Sequence, residues 1–332
     1  MEPPEPDAPT GPTGPRAAVV VNPVKVDVDA LRRLVAEQEE QHGWAPSTWW
    51  ETSSADDGRA AAEAALATAP RLLVVAGGDG TLRAVAEVVA GTGTVLGIVP
   101  SGTGNLFARE LGLPLNALRT AVATAFDGRD RPVDVGTAEL RRADGSSSAH
   151  AFLVMTGIGV DAHMAGHTDP RLKARIGWLA YSDPIARSVF GNRQFDMTYA
   201  LDDEPPVSTR VHTVIVGNSG TLTAGILMIP DAVVDDGLLD AVVLRPGRGP
   251  GWTYIGYRLA FNRFLHRTVP GRVVSRWSPR HRSMRFAQAR SMTVELDAPQ
   301  EIQLDGDPQG LVAGVSITVA HHALVVRVPR TT

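Results

Sequence analysis

Residues 72–81 read LLVVAGGDGT, an apolar run that breaks into a glycine-rich turn. Apolar residues then recur at positions 82, 85, 86 and 89, the spacing of an amphipathic helix. The stretch therefore predicts a buried strand, a tight turn and a helix. An Asp-Gly hairpin is the alternative, and the helical spacing after Thr81 argues against a second strand.

The turn has the composition of a phosphate-binding loop. Glycine lets a backbone approach a bulky anion, and the amides that open the next helix supply donors and the positive end of the helix dipole. Asp79 is unexpected there, because a carboxylate repels phosphate. Asp79 is expected to meet the ligand through Mg²⁺ or to accept a proton from a hydroxyl.

A second unit of the same kind follows directly. The apolar run VLGIV at 95–99 leads through Pro100 into SGTGN at 101–105 and then into the helix-like LFAREL. In an open parallel sheet both turns emerge at the carboxyl ends of their strands, where such folds bind ligands. The sequence therefore predicts one crevice that uses both loops.

Composition limits the function classes. The chain has 332 residues, 43% hydrophobic, with a net charge of −4, which allows two domains and predicts no nucleic-acid partner. It has no cysteine, which excludes disulfides and thiolate metal sites and suits the cytoplasm. No apolar run approaches the roughly 20 residues of a membrane span. Neither Lys25 nor Lys173 lies in a Walker or protein-kinase lysine motif.

Strand and helix patterns alternate in the first part of the chain. After a Pro- and Gly-rich tail at 1–15, predicted to be disordered, a strand is expected at 17–21 and a helix at 28–41. A strand at 47–51, an alanine-rich helix, the two glycine-rich units and a helix around 115–126 complete the series. This alternation predicts a doubly wound α/β domain over residues 16–136.

Beyond Gly136 the pattern changes to short apolar runs, which predict a mostly β second domain over residues 137–318. The runs lie at 138–140, 151–155, 209–217, 241–244, 291–296 and 316–328. The polar segment 141–148 is predicted to be a hairpin loop, and only 171–189 reads as helical. Residues 319–330 are expected to form a C-terminal segment that packs back on the first domain.

The motifs GGDGT at 77–81 and PSGTGN at 100–105 together resemble the diacylglycerol kinase catalytic-domain family, which includes bacterial lipid kinases and sphingosine kinases. The resemblance covers roughly residues 16–330 and implies an NAD kinase/diacylglycerol kinase-like α/β domain followed by a β-sandwich. Further matching positions are Asn22-Pro23, Thr52, Asp134-Val135-Gly136, Gly157–Ala162, Gly217-Asn218, Pro230–Ala232 and Asp235–Asp240.

The resemblance also implies an ATP-binding surface made of loop residues. Thr52 and Asn22 could instead cap helices, and both roles are compatible. The residues so assigned are Asn22, Pro23, Val24, Lys25, Val26, Thr52, Gly77, Gly78, Asp79, Gly80, Thr81, Leu82, Arg83, Ala84, Gly102, Thr103 and Asn105.

A structural Mg²⁺ site is implied at Asp236, with the carbonyls of Val233 and Leu238 as further ligands, since oxygen suits a hard cation. An ordinary Asp-Gly turn is the alternative. The catalytic residues carried over are Asp79 and Asp307, and which of them is the base is left open. In relatives position 307 is usually glutamate, and Asn-Glu stands where this chain has Arg83-Ala84.

The function implied is ATP- and Mg²⁺-dependent phosphorylation of a lipid alcohol at a membrane surface, with diacylglycerol or a related lipid as acceptor. The protein is expected to be cytoplasmic, peripherally membrane-associated and able to form a homodimer. Aromatic and arginine residues mixed over 252–290 could lie on anionic lipid. A partly buried helix with a solvated arginine face is the alternative.

Two other function classes remain. The run GIGVDA at 157–162 fits a dinucleotide-binding fingerprint and would suit an oxidoreductase, but Gly166 and Asp169-Pro170 soon interrupt any helix. A catalytically weak nucleotide- or lipid-binding regulatory protein on the kinase fold is the other alternative, because Asp307 and Arg83-Ala84 depart from the family pattern.

Overall fold

A computed structural model describes residues 14–53, 56–159, 194–219, 221–222, 226–227, 232–245 and 284–330. The chain divides into two compact units. The first unit comprises residues 1–131 and 324–332, and the second comprises residues 132–323.

A parallel sheet forms the first unit, as the alternating pattern predicted. Its order is β4-β3-β1-β2, and the last residues of β16 pair in parallel with β4, for example Val325 with Val95. The strands are β1 (Arg16–Val21), β2 (Ala45–Glu51), β3 (Leu72–Gly77), β4 (Val95–Pro100) and β16 (Asp307–Val328). β3 is buried along its whole length, as expected for a central strand with helices on both faces.

Helices cover both faces of this sheet. Leu31 and Val35 of α1 share an apolar cluster with Val122 and Phe126 of α5, while α2 packs on α3. The helices are α1 (Val28–His42), α2 (Arg59–Leu66), α3 (Asp79–Val89), α4 (Leu106–Glu110) and α5 (Leu118–Asp127). The doubly wound arrangement predicted from the sequence is confirmed.

Local chemistry sets the helix ends. Asp27 accepts a hydrogen bond from the Ala30 amide and caps α1, which ends at Gly43 with φ 67°. Helix α5 begins at Leu118 and not near 115 as predicted, because Asn116 has a left-handed φ of 56°. No helix of the described residues is both long and apolar enough to cross a bilayer.

Strands dominate the described part of the second unit, which confirms the mostly β expectation. An antiparallel sheet has the order β14-β13-β10-β7-β15-β16, with β8 and β9 added at β15, and β5 and β6 added at β16. The strands are β5 (Arg129–Arg141), β6 (Ser147–Phe152), β7 (Met155–Ile158), β8 (Phe195–Leu201), β9 (Val207–Val211), β10 (Thr213–Gly217), β11 (Thr221–Leu222), β12 (Ile226–Leu227), β13 (Leu239–Leu244), β14 (Met284–Ala289) and β15 (Ser291–Leu304).

The structure refines several strand predictions. The loop within 141–148 is a hairpin, with Arg141 paired to Ser147. The apolar run 209–217 forms two strands, because the chain breaks at His212 between β9 and β10. The predicted helix 171–189 and most of the aromatic and arginine stretch, up to residue 283, lie outside the described residues.

The dinucleotide-binding alternative is wrong in its local structure. Gly157 lies inside β7, where it pairs with Ile215 on one side and Gln303 on the other. A fingerprint glycine must instead sit in the turn between a strand and a helix. Residues 160–162 of the fingerprint lie outside the described residues.

Candidate active site

The first glycine-rich turn joins β3 to α3 as the sequence predicted. Gly78 precedes the helix in extended geometry, with φ −95° and ψ −173°, and no side chain caps the helix start. The first amides of a helix have no partner within it. The start of α3 therefore offers amide donors and a positive dipole end at the carboxyl edge of the sheet.

Asp79 ties this turn to the second glycine-rich loop. Its Oδ2 accepts a hydrogen bond of 2.8 Å from the Asn105 amide, and its Oδ1 accepts one of 2.8 Å from the Leu106 amide. The carboxylate thus caps the start of α4, where Asn105 is left-handed at φ 47° and has no side-chain cap of its own. This clamping role was missed by the sequence reasoning.

The second loop packs against the first along their backbones. The Ser101 amide donates to the Gly77 carbonyl at 2.8 Å, and the Asn105 side chain donates to the Gly102 carbonyl at 2.7 Å. A Cβ at Gly104 would lie 2.6 Å from Oδ2 of Asp79, so a side chain at this position would displace the hydrogen-bonded carboxylate. The two motifs of the sequence therefore form one structure.

A third loop, at residues 22–26, joins them. The Asn22 amide donates to the Ala76 carbonyl at 2.9 Å, and Asn22 Oδ1 accepts from the Val24 amide at 3.1 Å. The ammonium of Lys25 lies 2.8 Å from the position that a Cβ on Gly78 would occupy. The loop therefore brings a cation to the first glycine-rich turn.

A cavity of about 600 Å³ opens beside these loops. Lys25 and Val26 of the third loop and the adjacent Asp27 line it together with Ser101, Gly102 and Thr103 of the second. The Asp27 carboxylate caps α1, so the part of the lining that suits an anionic ligand is Lys25 with the backbone amides of the second loop.

Other residues assigned to the ATP surface lie deeper in the first unit. Leu82, Arg83 and Ala84 are at most 8% exposed. Thr52 is half-buried at the end of β2, and its amide donates to the Val21 carbonyl at 2.9 Å. Any contribution from 82–84 to ligand binding is therefore expected through the backbone.

In the second unit, Asp307 opens β16 and is half-buried. It pairs with Leu304 across a two-residue turn formed by Asp305 and Gly306, both with positive φ, at 50° and 93°. Such a turn matches the right-handed twist of the flanking strands. The turn fixes the backbone direction at Asp307.

Asp305 anchors this turn. Its Oδ2 accepts from the Leu153 amide at 2.8 Å, and its Oδ1 accepts from the amides of Val154 and Met155 at 2.8 and 2.9 Å. The sequence reasoning noted the Asp-Gly pair but missed this contact, because the partners lie about 150 positions away. Asp305 therefore connects the β15–β16 turn to the segment before β7.

We expect Asp305→Ala to lower the free energy of unfolding by about 2–4 kcal/mol, because three amides lose a charged acceptor. Asp305→Asn, which keeps one acceptor oxygen, should cost less. Urea unfolding measures both, with Asp144→Ala as control, since Asp144 accepts hydrogen bonds from its neighbour Ser146 within an exposed hairpin. Equal unfolding energies for Asp305→Ala and the control would contradict the anchoring role.

The predicted metal loop is also described. Asp236 Oδ1 accepts from the Leu238 amide at 3.0 Å. Burial raises the pKa of the Asp236 carboxyl, and repulsion from Asp134 and Asp235 adds to the rise. A hard cation would relieve that repulsion, so the oxygen donors here fit Mg²⁺.

Asp134 is a buried carboxylate beside this loop. Its Oδ2 accepts from the Gly237 amide at 2.7 Å, and its Oδ1 accepts from the His322 amide at 2.7 Å. His321 Nδ1 lies 2.8 Å from the same Oδ1. The sequence reasoning marked Asp134 only as part of a domain junction and gave the two histidines no role.

Each of the two units matches a known protein-family model. A family model described as the diacylglycerol kinase catalytic domain matches residues 16–138. A model described as the YegS C-terminal NAD kinase beta sandwich-like domain matches residues 154–328.

Curated relatives carry lipid-kinase names. A protein named diacylglycerol kinase from Bacillus subtilis (strain 168) is 25% identical over 318 residues, which cover 94% of this chain and 96% of the relative. A protein named "Probable lipid kinase YegS-like" from Pseudomonas savastanoi pv. phaseolicola (strain 1448A / Race 6) is 31% identical over 239 residues, covering 69% and 71%.

Solved structures share the fold. A diacylglycerol kinase from Bacillus anthracis str. Sterne superposes with a TM-score of 0.66 at 20% identity, covering 95% of this chain and 97% of that one. Yeast NADH kinase complexed with NADH superposes with a TM-score of 0.50 at 12% identity, covering 96% and 84%. The fold is therefore the NAD kinase/diacylglycerol kinase-like one, with an α/β domain and a β-sandwich.

Proposed function

Since this chain belongs to the diacylglycerol kinase catalytic-domain family of lipid kinases, we propose that it transfers the γ-phosphoryl group of ATP to a hydroxyl of a lipid alcohol. The expected acceptor is diacylglycerol or a related lipid at a membrane surface. The observation that carries the proposal is the pair of glycine-rich loops joined through Asp79, the second of which lines a cavity of about 600 Å³.

The phosphates of ATP would be held by the two loops. The amides that open α3 and those of Gly102–Gly104 supply donors, and the helix dipole favours negative charge at that end. Because phosphoryl transfer needs mainly positioning and charge stabilisation, a rigid set of donors is the chief requirement. Asp79 provides the rigidity, since each of its oxygens fixes one amide of the second loop.

Lys25 would add a cation to this anion site. We expect Lys25→Met to raise the KM for ATP about 10-fold or more, because a charge-assisted hydrogen bond to phosphate is worth roughly 1.5–3 kcal/mol. The KM for lipid should change little. Steady-state kinetics with each substrate varied in turn measure both values.

Arg71→Met is the matched control for Lys25→Met. Arg71 is exposed just before the amino end of β3, the opposite end of the strand from the glycine-rich turn. The Arg71→Met variant should leave the KM for ATP unchanged. An unchanged KM for ATP in Lys25→Met would remove the assigned role of Lys25.

A divalent cation completes the proposal. Asp236, with the carbonyls of Val233 and Leu238, would hold Mg²⁺ as a structural ion, and a second ion would accompany ATP near Asp79. When bound, such an ion neutralises phosphate charge. Asp307 would accept the proton of the lipid hydroxyl, unless Asp79 takes that role.

The test is transfer of label from γ-labelled ATP with Mg²⁺ into an extracted lipid mixture, with products resolved by chromatography. We expect a labelled lipid, and no labelled product with NAD or NADH as acceptor. ATP binding without any labelled lipid would instead support a nucleotide-binding regulatory protein on the same fold.

A further inference from the structure

The second unit brings together three side chains that can bind a metal, Asp134, His321 and His322. One donor atom from each lies within 4.8 Å of the others. Asp134 is fully buried, whereas both histidines are exposed. The cluster therefore has a fixed carboxylate on its inner side and open access for water on its outer side.

The backbone at His322 is arranged so that both imidazoles lie together. Consecutive residues of a strand normally point to opposite faces. His322 has a left-handed φ of 53°, and its ring stacks on that of His321 with centroids 3.7 Å apart and planes at 27°. This conformation is unfavourable for a residue with a Cβ, so it needs support from its surroundings.

Asp134 supplies much of that support. Its Oδ1 accepts from the His322 amide at 2.7 Å and lies 2.8 Å from His321 Nδ1, while its Oδ2 accepts from the Gly237 amide. Asp235 and Asp236 add negative charge nearby. The cluster therefore carries several negative charges, and its two imidazoles can serve as metal ligands on the side that faces solvent.

We propose that Asp134, His321 and His322 bind a borderline divalent cation such as Zn²⁺. Two imidazole nitrogens and one carboxylate oxygen are a donor set that suits zinc, whereas Mg²⁺ prefers oxygen ligands only. The cation takes the place of the proton between His321 Nδ1 and Asp134 Oδ1, and the neutral imidazole then carries its single proton on Nε2. Water completes the coordination.

The bound ion would connect β5, which carries Asp134, to β16, which carries both histidines. A ligand that binds only the folded chain stabilises it. We therefore expect zinc to raise the melting temperature. The site differs in its donors from the oxygen-only loop at Asp236 and does not depend on the proposed kinase activity.

The test uses the full chain without a purification tag, stripped with a chelator and titrated with Zn²⁺ by calorimetry. We expect one equivalent to bind, with Co²⁺ giving visible d–d absorption at the same site. His322→Gly should weaken zinc binding by about 10- to 100-fold, and the double variant His321→Ala/His322→Gly should abolish it. Excess Mg²⁺ should not displace the zinc.

The variants separate ligand loss from misfolding. Glycine accepts a φ of 53° better than histidine does, so His322→Gly should fold at least as well as the native chain. His42→Ala, which removes an exposed histidine from the end of α1, should bind zinc normally. No zinc binding by the native chain, or equal affinity in the double variant, would leave Asp134–His321 as a structural hydrogen bond only.

Discussion

Asp79→Ala is expected to lower lipid phosphorylation by about 100- to 1,000-fold, because displacement of catalytic donors by even 1 Å has costs of this order. The change removes the acceptor of two amides that open α4 and separates the two glycine-rich loops. It also removes any interaction of the carboxylate with Mg²⁺ or with the lipid hydroxyl. Label transfer from γ-labelled ATP to lipid measures the loss.

Two further variants are needed to interpret the loss of activity in Asp79→Ala. Asp79→Asn keeps one acceptor oxygen but directs an N–H group at an amide, so it should retain little activity. Asp144→Ala makes the same chemical change in the exposed β5–β6 hairpin and should retain full activity. Native activity in Asp79→Ala would contradict both the clamping role and the family assignment of this residue.

Asp307→Asn should lower turnover by about 100- to 10,000-fold if Asp307 is the base, since general base catalysis is worth this much. Asp307→Glu, which restores the residue that the resemblance places in relatives, should keep or raise activity. Glutamate keeps the carboxylate that a general base needs and differs from aspartate by one methylene group. Turnover at saturating ATP and lipid, measured across pH, reports the effect.

Asp297→Asn is the control for the Asp307 series. Asp297 is exposed on β15 and has no assigned role in catalysis. If Asp307→Asn turns over like the native chain while Asp79→Ala is inactive, the base is Asp79 and not Asp307. If both are inactive and Asp79→Ala still binds ATP, the two carboxylates share the chemistry.

Much of the first unit could be predicted because its signals are local. The run LLVVAGGDGT contains its own strand, turn and helix start, and β3 and α3 lie where that run places them. The apolar run 95–99 likewise matches β4. Adjacent residues decide such elements, so sequence order is sufficient to read them.

The second unit was predicted less completely because its strands face solvent on one side. β8 has a mixed, half-exposed pattern and was missed, and β15 and β16 extend well beyond the apolar runs that marked them. Polar residues in an antiparallel pair are held by the ladder and not by burial. Apolar runs alone therefore underestimate strand length.

The contacts that build the site could not be predicted from spacing. Asp79 meets amides 26 and 27 positions later, Asp305 meets amides 150–152 positions earlier, and Asp134 meets His321 187 positions later. Each depends on the fold bringing distant loops together. Only the residue types, and not their partners, were visible in the sequence.

Hydrogen–deuterium exchange of the full chain with Mg²⁺ and a non-hydrolysable ATP analogue tests the central claim most directly, because it reports which amides bind phosphate. We expect slower exchange in peptides that cover residues 78–82 and 101–106. Unchanged exchange in both segments at saturating nucleotide would show that ATP does not bind at the joined glycine-rich loops.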